Sequence, residues 1–312
     1  MGPEALIFVT LTLGLVGLLI ALYLFVQWRQ PRLEPLPPPL ALKWCEVGPW
    51  RFRYHHSGKG PPLILLHGIG ANLYCWRSLI PLLARRFTVV ALDLPGFGQS
   101  SIHTGERYGL DEQVQRLRSF LHQLGIDKSY LVGSSMGGNL ALWYALEHPT
   151  EVLGLAVIAP ATRPNLIPIT TQPWLWLSRP AALMISRWLM RLAHRRTVSK
   201  KHLVDRLRVE ETFKTYGRNH AAIRSFLLAT ESIRDPRLAA RLGRLQIPPL
   251  ILWGAQDRLV PTTVIEAMKA AVAGHESHVH ATGGHHLQED EPEWVAEKID
   301  AFFSKRQATN PT

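Results

Sequence analysis

Cysteine is scarce: Cys45 and Cys75 are the only two in 312 residues. Two thiols make neither a disulfide framework nor a structural metal site, and both read as small hydrophobes. Acid is also in short supply, with 24 Asp and Glu against 35 Lys and Arg, a formal net charge of +11. Such an excess suits nucleic acid or an anionic membrane surface. No finger spacing or aromatic ribonucleoprotein strand supports the first of these. A disordered composition is excluded too, since 46% of the residues are hydrophobic and 19% charged, as in an ordinary packed core. There are no internal repeats. The length leaves room for one large domain with an insertion, or for two smaller ones.

What is abundant is apolar sequence near the amino end. From Ala5 to Val26 there are 22 residues without a charge. At ~1.5 Å per residue they reach roughly 33 Å, enough for a hydrocarbon core of ~30 Å. Met1-Gly2-Pro3-Glu4 has no basic residue, and Gln27-Trp28-Arg29-Gln30 offers no small-residue cleavage site, so a signal peptide fits poorly. Tyr23 and Trp28 suit a membrane interface. Residues 1–30 are therefore expected to form a single transmembrane anchor. Arg29, Arg32, Lys43, Arg51 and Arg53 follow this span and no Lys or Arg precedes it, so the remainder is expected on the cytoplasmic side. Residues 31–40 hold five prolines and read as an extended, semi-rigid spacer.

From residue 41 strands alternate with helices. Leu42–Val47 and Trp50–His55 read as strands joined by a Gly48-Pro49 turn. The run from Pro61 to His67-Gly68, Phe87–Leu94, Tyr130–Val132, Val152–Ala159 and Pro249–Trp253 read as buried strands. Leu110–Leu124 carries Val114, Leu117, Phe120, Leu121 and Leu124 at helical spacing, and Asn139–Glu147 forms another helix, stopped by His148-Pro149. This alternation predicts an α/β fold with a mostly parallel sheet covered on both faces. Residues 41–160 and 244–312 are expected to form one core. Residues 161–243, helical and basic, are expected as an inserted cap.

Gly133-Ser134-Ser135-Met136-Gly137 fits G-x-S-x-G directly after a strand and before a helix, which makes Ser135 the candidate nucleophile. Centring the pattern on Ser134 instead would put Val132 and Met136 at the glycine positions. A serine hydroxyl needs a base held by a third group. Asp257, in the turn after Leu250–Trp253, and His285, in Gly283-Gly284-His285-His286, supply both in the order Ser, Asp, His. The pair of backbone N–H groups that stabilises a developing oxyanion is assigned to Ile69 and Met136.

Residues from about 50 to 305 resemble the α/β-hydrolase superfamily, in the branch of esterases, monoacylglycerol lipases, carbon–carbon bond hydrolases and haloalkane dehalogenases. Leu66-His67-Gly68-Ile69-Gly70 is similar to its oxyanion loop, Asp93-Leu94-Pro95-Gly96-Phe97-Gly98-Gln99-Ser100 to its D-x-P-G-x-G-x-S turn, and Gly133–Gly138 to its nucleophile elbow. The resemblance implies that the catalytic histidine lies seven residues before a proline. Counting back from Pro292 selects His285 and leaves His286 as a neighbour. It also implies that His67 and Asp93 hold loops near the site. His285–Pro292 resembles the dehalogenase histidine loop, but those relatives carry aspartate as nucleophile. Serine at that position points to acyl transfer to water.

His275, His278, His280, His285 and His286 invite a metal reading, but no H-E-x-x-H or carboxylate pattern accompanies them, and neither metal nor cofactor is expected. Between Arg179 and Arg208 nine basic residues face one acid, Asp205. Arg187, Arg191 and Arg195 recur every four positions as a stripe that either is simply solvated or meets anionic lipid. The expected function is a membrane-anchored serine hydrolase of esters with apolar acyl chains, such as monoacylglycerol. The alternatives are a carbon–carbon bond hydrolase of the meta-cleavage type and a catalytically silent sensor or scaffold.

Overall fold

The computed structural model describes residues 40–309, preceded only by isolated positions between 14 and 24. The expected anchor (1–30) and all of the expected spacer (31–40) except Leu40 lie outside this continuous stretch. Among the described residues no helix is long and apolar enough to cross a membrane.

Eight strands form one sheet: β1 (Leu42–Val47), β2 (Trp50–Ser57), β3 (Pro62–Leu66), β4 (Thr88–Leu92), β5 (Ser129–Ser134), β6 (Val152–Ile158), β7 (Leu250–Gly254) and β8 (Glu276–His280). Their spatial order is β1-β2-β4-β3-β5-β6-β7-β8. The β1–β2 and β2–β4 pairs are antiparallel, and the others are parallel. Strand β2 extends past the predicted His55 to Ser57 because His56 and Ser57 pair with Val90 and Val89.

The helices are α1 (Ile80–Leu83), α2 (Leu110–Gln123), α3 (Met136–Glu147), α4 (Ser178–Met184), α5 (Arg187–Thr197), α6 (Arg206–Tyr216), α7 (His220–Arg234), α8 (Pro236–Arg241), α9 (Thr262–Ala271), α10 (Leu287–Asp290) and α11 (Pro292–Thr309). Alternate residues of the central strands feed two cores. Ile64, Leu66, Val90 and Leu92 meet α2 and α3 on one face. Leu63, Leu65, Val89 and Ala91 meet α1 and α11 on the other. Both faces being covered, these strands are apolar throughout rather than alternating. Helix α3 is buried from Met136 to Ala145, which explains why its sequence is apolar on every side.

Helices α4–α8 lie in the long connection between β6 and β7. A buried ion-pair chain ties this insertion to the sheet. Arg53 on β2 donates from Nε to Asp93 (2.6 Å) and from Nη1 to Glu211 on α6 (2.9 Å). Asp93 also accepts from the backbone N–H groups of Leu73 and Gln99, so it shapes the loops after β3 and β4 together. Replacing Arg53 with Leu leaves the buried Asp93 without its cation and Glu211 with Lys214 alone. The expected loss is about 3–5 kcal/mol of stability, measured by urea unfolding; a loss below about 1 kcal/mol would count against this role for the chain.

Candidate active site

Ser135 joins β5 to α3 with φ 54° and ψ −120°, a left-handed conformation that side chains other than glycine rarely adopt. Its N–H donates to Ile158 O (2.9 Å), while its own carbonyl accepts from Gly138 and Asn139 at the start of α3. The turn is possible because its neighbours lack Cβ atoms. A Cβ on Gly133 would lie 2.2 Å from Gly137 O, and one on Gly137 would lie 2.1 Å from Leu66 O. On the facing loop, a Cβ on Gly68 would come within 3.1 Å of Ser135 Cβ.

Asp257 and His285 meet at the carboxyl ends of β7 and β8. Asp257 Oδ1 accepts from the N–H groups of Leu259 and Val260 (2.8 and 3.0 Å), and Oδ2 lies 2.8 Å from His285 Nδ1. With Nδ1–H donating to the carboxylate, Nε2 keeps a free lone pair, the form a general base requires. Backbone bonds from Ala255 to His280 and from Gln256 to Gly283 lock the two loops together. Ser135 and His285 line one cavity of about 160 Å³ with Gly68, Ile69, Leu166 and Val260. The N–H of Met136 opens α3, and that of Ile69 lies in the turn closed by Ala71 N–H to Gly68 O (3.2 Å). Neither amide has a partner among the described residues.

His67 is fully buried, with Nδ1 2.8 Å from Gly68 O and Nε2 accepting from Leu94 N–H at 3.0 Å. Burial holds it below its ordinary pKa, so it braces two loops as a neutral ring. His278 bonds to Glu276, and His280 packs on Trp294. No group of three or more His, Cys, Asp or Glu among the described residues is placed to hold a metal ion.

A second, apolar cavity of about 280 Å³ adjoins the first, and Ile69, Thr197 and His286 line both. Its other walls include Ile185, Met190, Ile223 and Phe226 from the β6–β7 insertion. This insertion is clasped to the histidine loop. Asp290 accepts from the N–H groups of Ser199 (2.9 Å), Lys200 (3.0 Å) and Gly284 (2.8 Å), and His286 N–H donates to Thr197 O. Glu289 pairs with Arg77 (2.7 Å) and Arg208 (3.0 Å). Burial alone would raise the pKa of Glu289, but the charge of Arg208, a hydrogen bond from His286 and Arg77 hold it at about 2. None of these roles was read from the sequence. The available signal was the acidic run Glu289-Asp290-Glu291 immediately after the histidines in a basic chain. Arg208, counted there in a basic stretch, is 5% exposed, and Arg187 pairs with Glu210.

Residues 61–292 match the family model of the alpha/beta hydrolase fold. The chain belongs to the α/β-hydrolase family. It is 24% identical over 299 residues to a monoacylglycerol lipase of Xenopus laevis, covering 87% of this chain and 84% of that one. It is 30% identical over 251 residues to a 2-hydroxy-6-oxononadienedioate/2-hydroxy-6-oxononatrienedioate hydrolase of Klebsiella pneumoniae, covering 76% and 85%. Among solved structures, a membrane phospholipase A superposes with a TM-score of 0.70 at 25% identity, covering 98% of this chain and 99% of that one.

Two buried histidines of the apolar cavity make stability pH-dependent. Burial, reinforced by Arg208, holds His194 at about 3; burial outweighs the Glu289 hydrogen bond to hold His286 at about 4. The unfolded chain regains values near 6.5, so it takes up protons first as pH falls, and stability is lost from about pH 6.5 downward through the folded values. Urea unfolding at pH 7 and pH 4.5 should therefore differ by about 2 kcal/mol less in His194→Gln than in wild type. An unchanged difference would remove His194 as a source.

Proposed function

We propose that this protein is a membrane-anchored serine hydrolase that cleaves carboxylic esters with apolar acyl chains, such as a monoacylglycerol or related lipid. The observation that carries the reading is the strained Ser135 beside the Asp257–His285 pair, next to a cavity with apolar walls. Ser135 Oγ attacks the ester carbonyl as His285 Nε2 takes its proton, and Asp257 orients and stabilises the imidazolium. The N–H groups of Ile69 and Met136 bind the tetrahedral oxyanion. His285 returns the proton to the departing alcohol, and water, activated by the same histidine, then hydrolyses the acyl-enzyme. Among the described residues no side chain of Lys or Arg lines either cavity, which favours a neutral ester over the acid substrate of a meta-cleavage hydrolase, whose carboxylates would need a cation.

The apolar run from Ala5 to Val26 serves in this reading as the anchor, with the catalytic domain on the cytoplasmic side. The β6–β7 insertion acts as a cap that also meets the bilayer. Trp174, Trp176 and Trp188 are exposed on it, as are Arg191 and Arg195, a combination suited to anionic headgroups.

Purified protein should be labelled at Ser135 by a fluorophosphonate and lose both labelling and esterase activity, by 10³-fold or more (an order-of-magnitude figure), in Ser135→Ala. Absence of labelling in folded wild type would sink the enzymatic reading. An acyl-length series of esters should show kcat/KM rising with each added methylene until the apolar cavity is filled, and a flat series would exclude it as the acyl site. Removing residues 1–30 should release the protein from membranes, and retention would place the membrane contact elsewhere.

A further inference from the structure

The buried acids are not satisfied alike. Asp93, Glu211 and Glu289 each pair with an arginine. Asp290 is buried as well, but among the described residues no cation pairs with it, and backbone N–H groups alone meet its charge. Its Oδ2 accepts from Gly284 (2.8 Å) and Ser199 (2.9 Å), and its Oδ1 from Lys200 (3.0 Å). Ser199 and Lys200 belong to the β6–β7 insertion, whereas Gly284 immediately precedes His285.

The insertion touches the histidine loop on both sides of His285. Ahead of it, a Cβ on Gly284 would lie 2.8 Å from Ser199 N and 3.1 Å from Val198 C, so the backbone of the insertion rests directly on this residue. After it, His286 N–H donates to Thr197 O (2.8 Å). Asp290 closes the same turn from within, its own N–H donating to His286 O (3.1 Å). The bond to Asp257 holds the Nδ1 end of the His285 ring, but where Nε2 points depends also on the backbone that carries the ring. If residues 197–200 leave, Asp290 loses two of its three donors. A buried carboxylate short of donors has to admit water or move, and Gly284 is bonded to the same oxygen as Ser199.

Resting on the serine-hydrolase reading, we propose that Asp290 is a positioning residue that makes the placement of His285 depend on the insertion being seated. The carboxylate passes the position of residues 197–200 to the base through Gly284. With the segment seated, the backbone on both sides of His285 is fixed and the ring is held for Asp257 and Ser135. With it unseated, the three triad side chains are intact but the base has lost its support. Proton transfer from Ser135 is thereby tied to the same element whose Met190, His194 and Thr197 wall the apolar cavity.

The test measures kcat and KM on methyl octanoate and the second-order rate of fluorophosphonate labelling at Ser135, with the full chain in detergent micelles and folding checked by urea unfolding. Asp290→Asn keeps the shape of the side chain but turns an NH2 group toward at least one of the N–H donors. Its kcat and its labelling rate should both fall about tenfold or more, as for a displaced catalytic group, while KM stays within about twofold. The insertion side is probed at Lys200, whose φ of −83° is close to the range a proline imposes. Lys200→Pro and Lys200→Ala both lose the side chain, but only the proline loses the N–H. The proline variant should be slower than the alanine variant in both readouts by about fivefold, the scale of one hydrogen bond. A raised KM with kcat and labelling unchanged in Asp290→Asn would overturn the proposal, leaving Asp290 a fastening of the cavity wall. Equal rates in the two Lys200 variants would overturn it as well, and they decide alone if Asp290→Asn does not fold. Absence of labelling in folded wild type would instead overturn the hydrolase reading, and this inference with it.

Discussion

Ser135 is held at φ 54°, a backbone conformation that costs on the order of 1–3 kcal/mol and persists only where the surroundings over-determine it. Here they do so through close backbone packing. Gly133 and Gly137 let the elbow, the start of α3 and the end of β3 approach to distances that any side chain would forbid, and Gly68 leaves the facing loop close to Ser135. Ile69, on that loop, lines one cavity with Ser135. Strand order then brings the other partners within reach. With β5, β6, β7 and β8 adjacent and parallel, the turns after β5, β7 and β8 emerge at one end of the sheet, where open α/β folds place their sites.

A second organising constraint is electrostatic. The chain carries an excess of base, yet several of its acids are inside: Asp93, Glu211, Glu289 and Asp290 are all buried. Buried carboxylates are tolerated only when cations or N–H groups satisfy them. Arg53 serves Asp93 and Glu211, Arg77 and Arg208 serve Glu289, and three backbone amides serve Asp290. Of these links, Arg53–Glu211, Arg208–Glu289 and the Asp290 bonds from Ser199 and Lys200 join the β6–β7 insertion to the sheet or to the histidine loop. The walls of the apolar cavity are thus held in register with the loop of His285 by interactions that specify geometry more than they add stability.

The strands and the main helices were legible because their signals are local. Burial on both faces makes a parallel strand a short apolar run, as in Leu63–Leu66, and Val114, Leu117, Phe120 and Leu121 recur on the one face of α2 that meets the core. Chain order and motif spacing also singled out Asp257 and His285, which the structure places 2.8 Å apart. The clasp was not legible. Arg208 and Arg187 read as members of an exposed basic face, because charge pairing between residues distant in sequence leaves no periodic trace. The identical letters His285 and His286 likewise gave no hint that one faces Asp257 and the other faces Glu289 and Arg208.

By itself, then, the sequence determined what short-range chemistry can specify: an alternating α/β chain, a glycine-flanked serine between strand and helix, and an acid and a histidine following strands in the right order. Only the tertiary structure decided how β4 inserts between β2 and β3, which cations neutralise the buried acids, and where the two cavities lie. The physical reason is separation along the chain. Arg53 meets Glu211 and Arg77 meets Glu289 across 158 and 212 positions, and contacts of that span exist only after the sheet has assembled and brought its loops to one end.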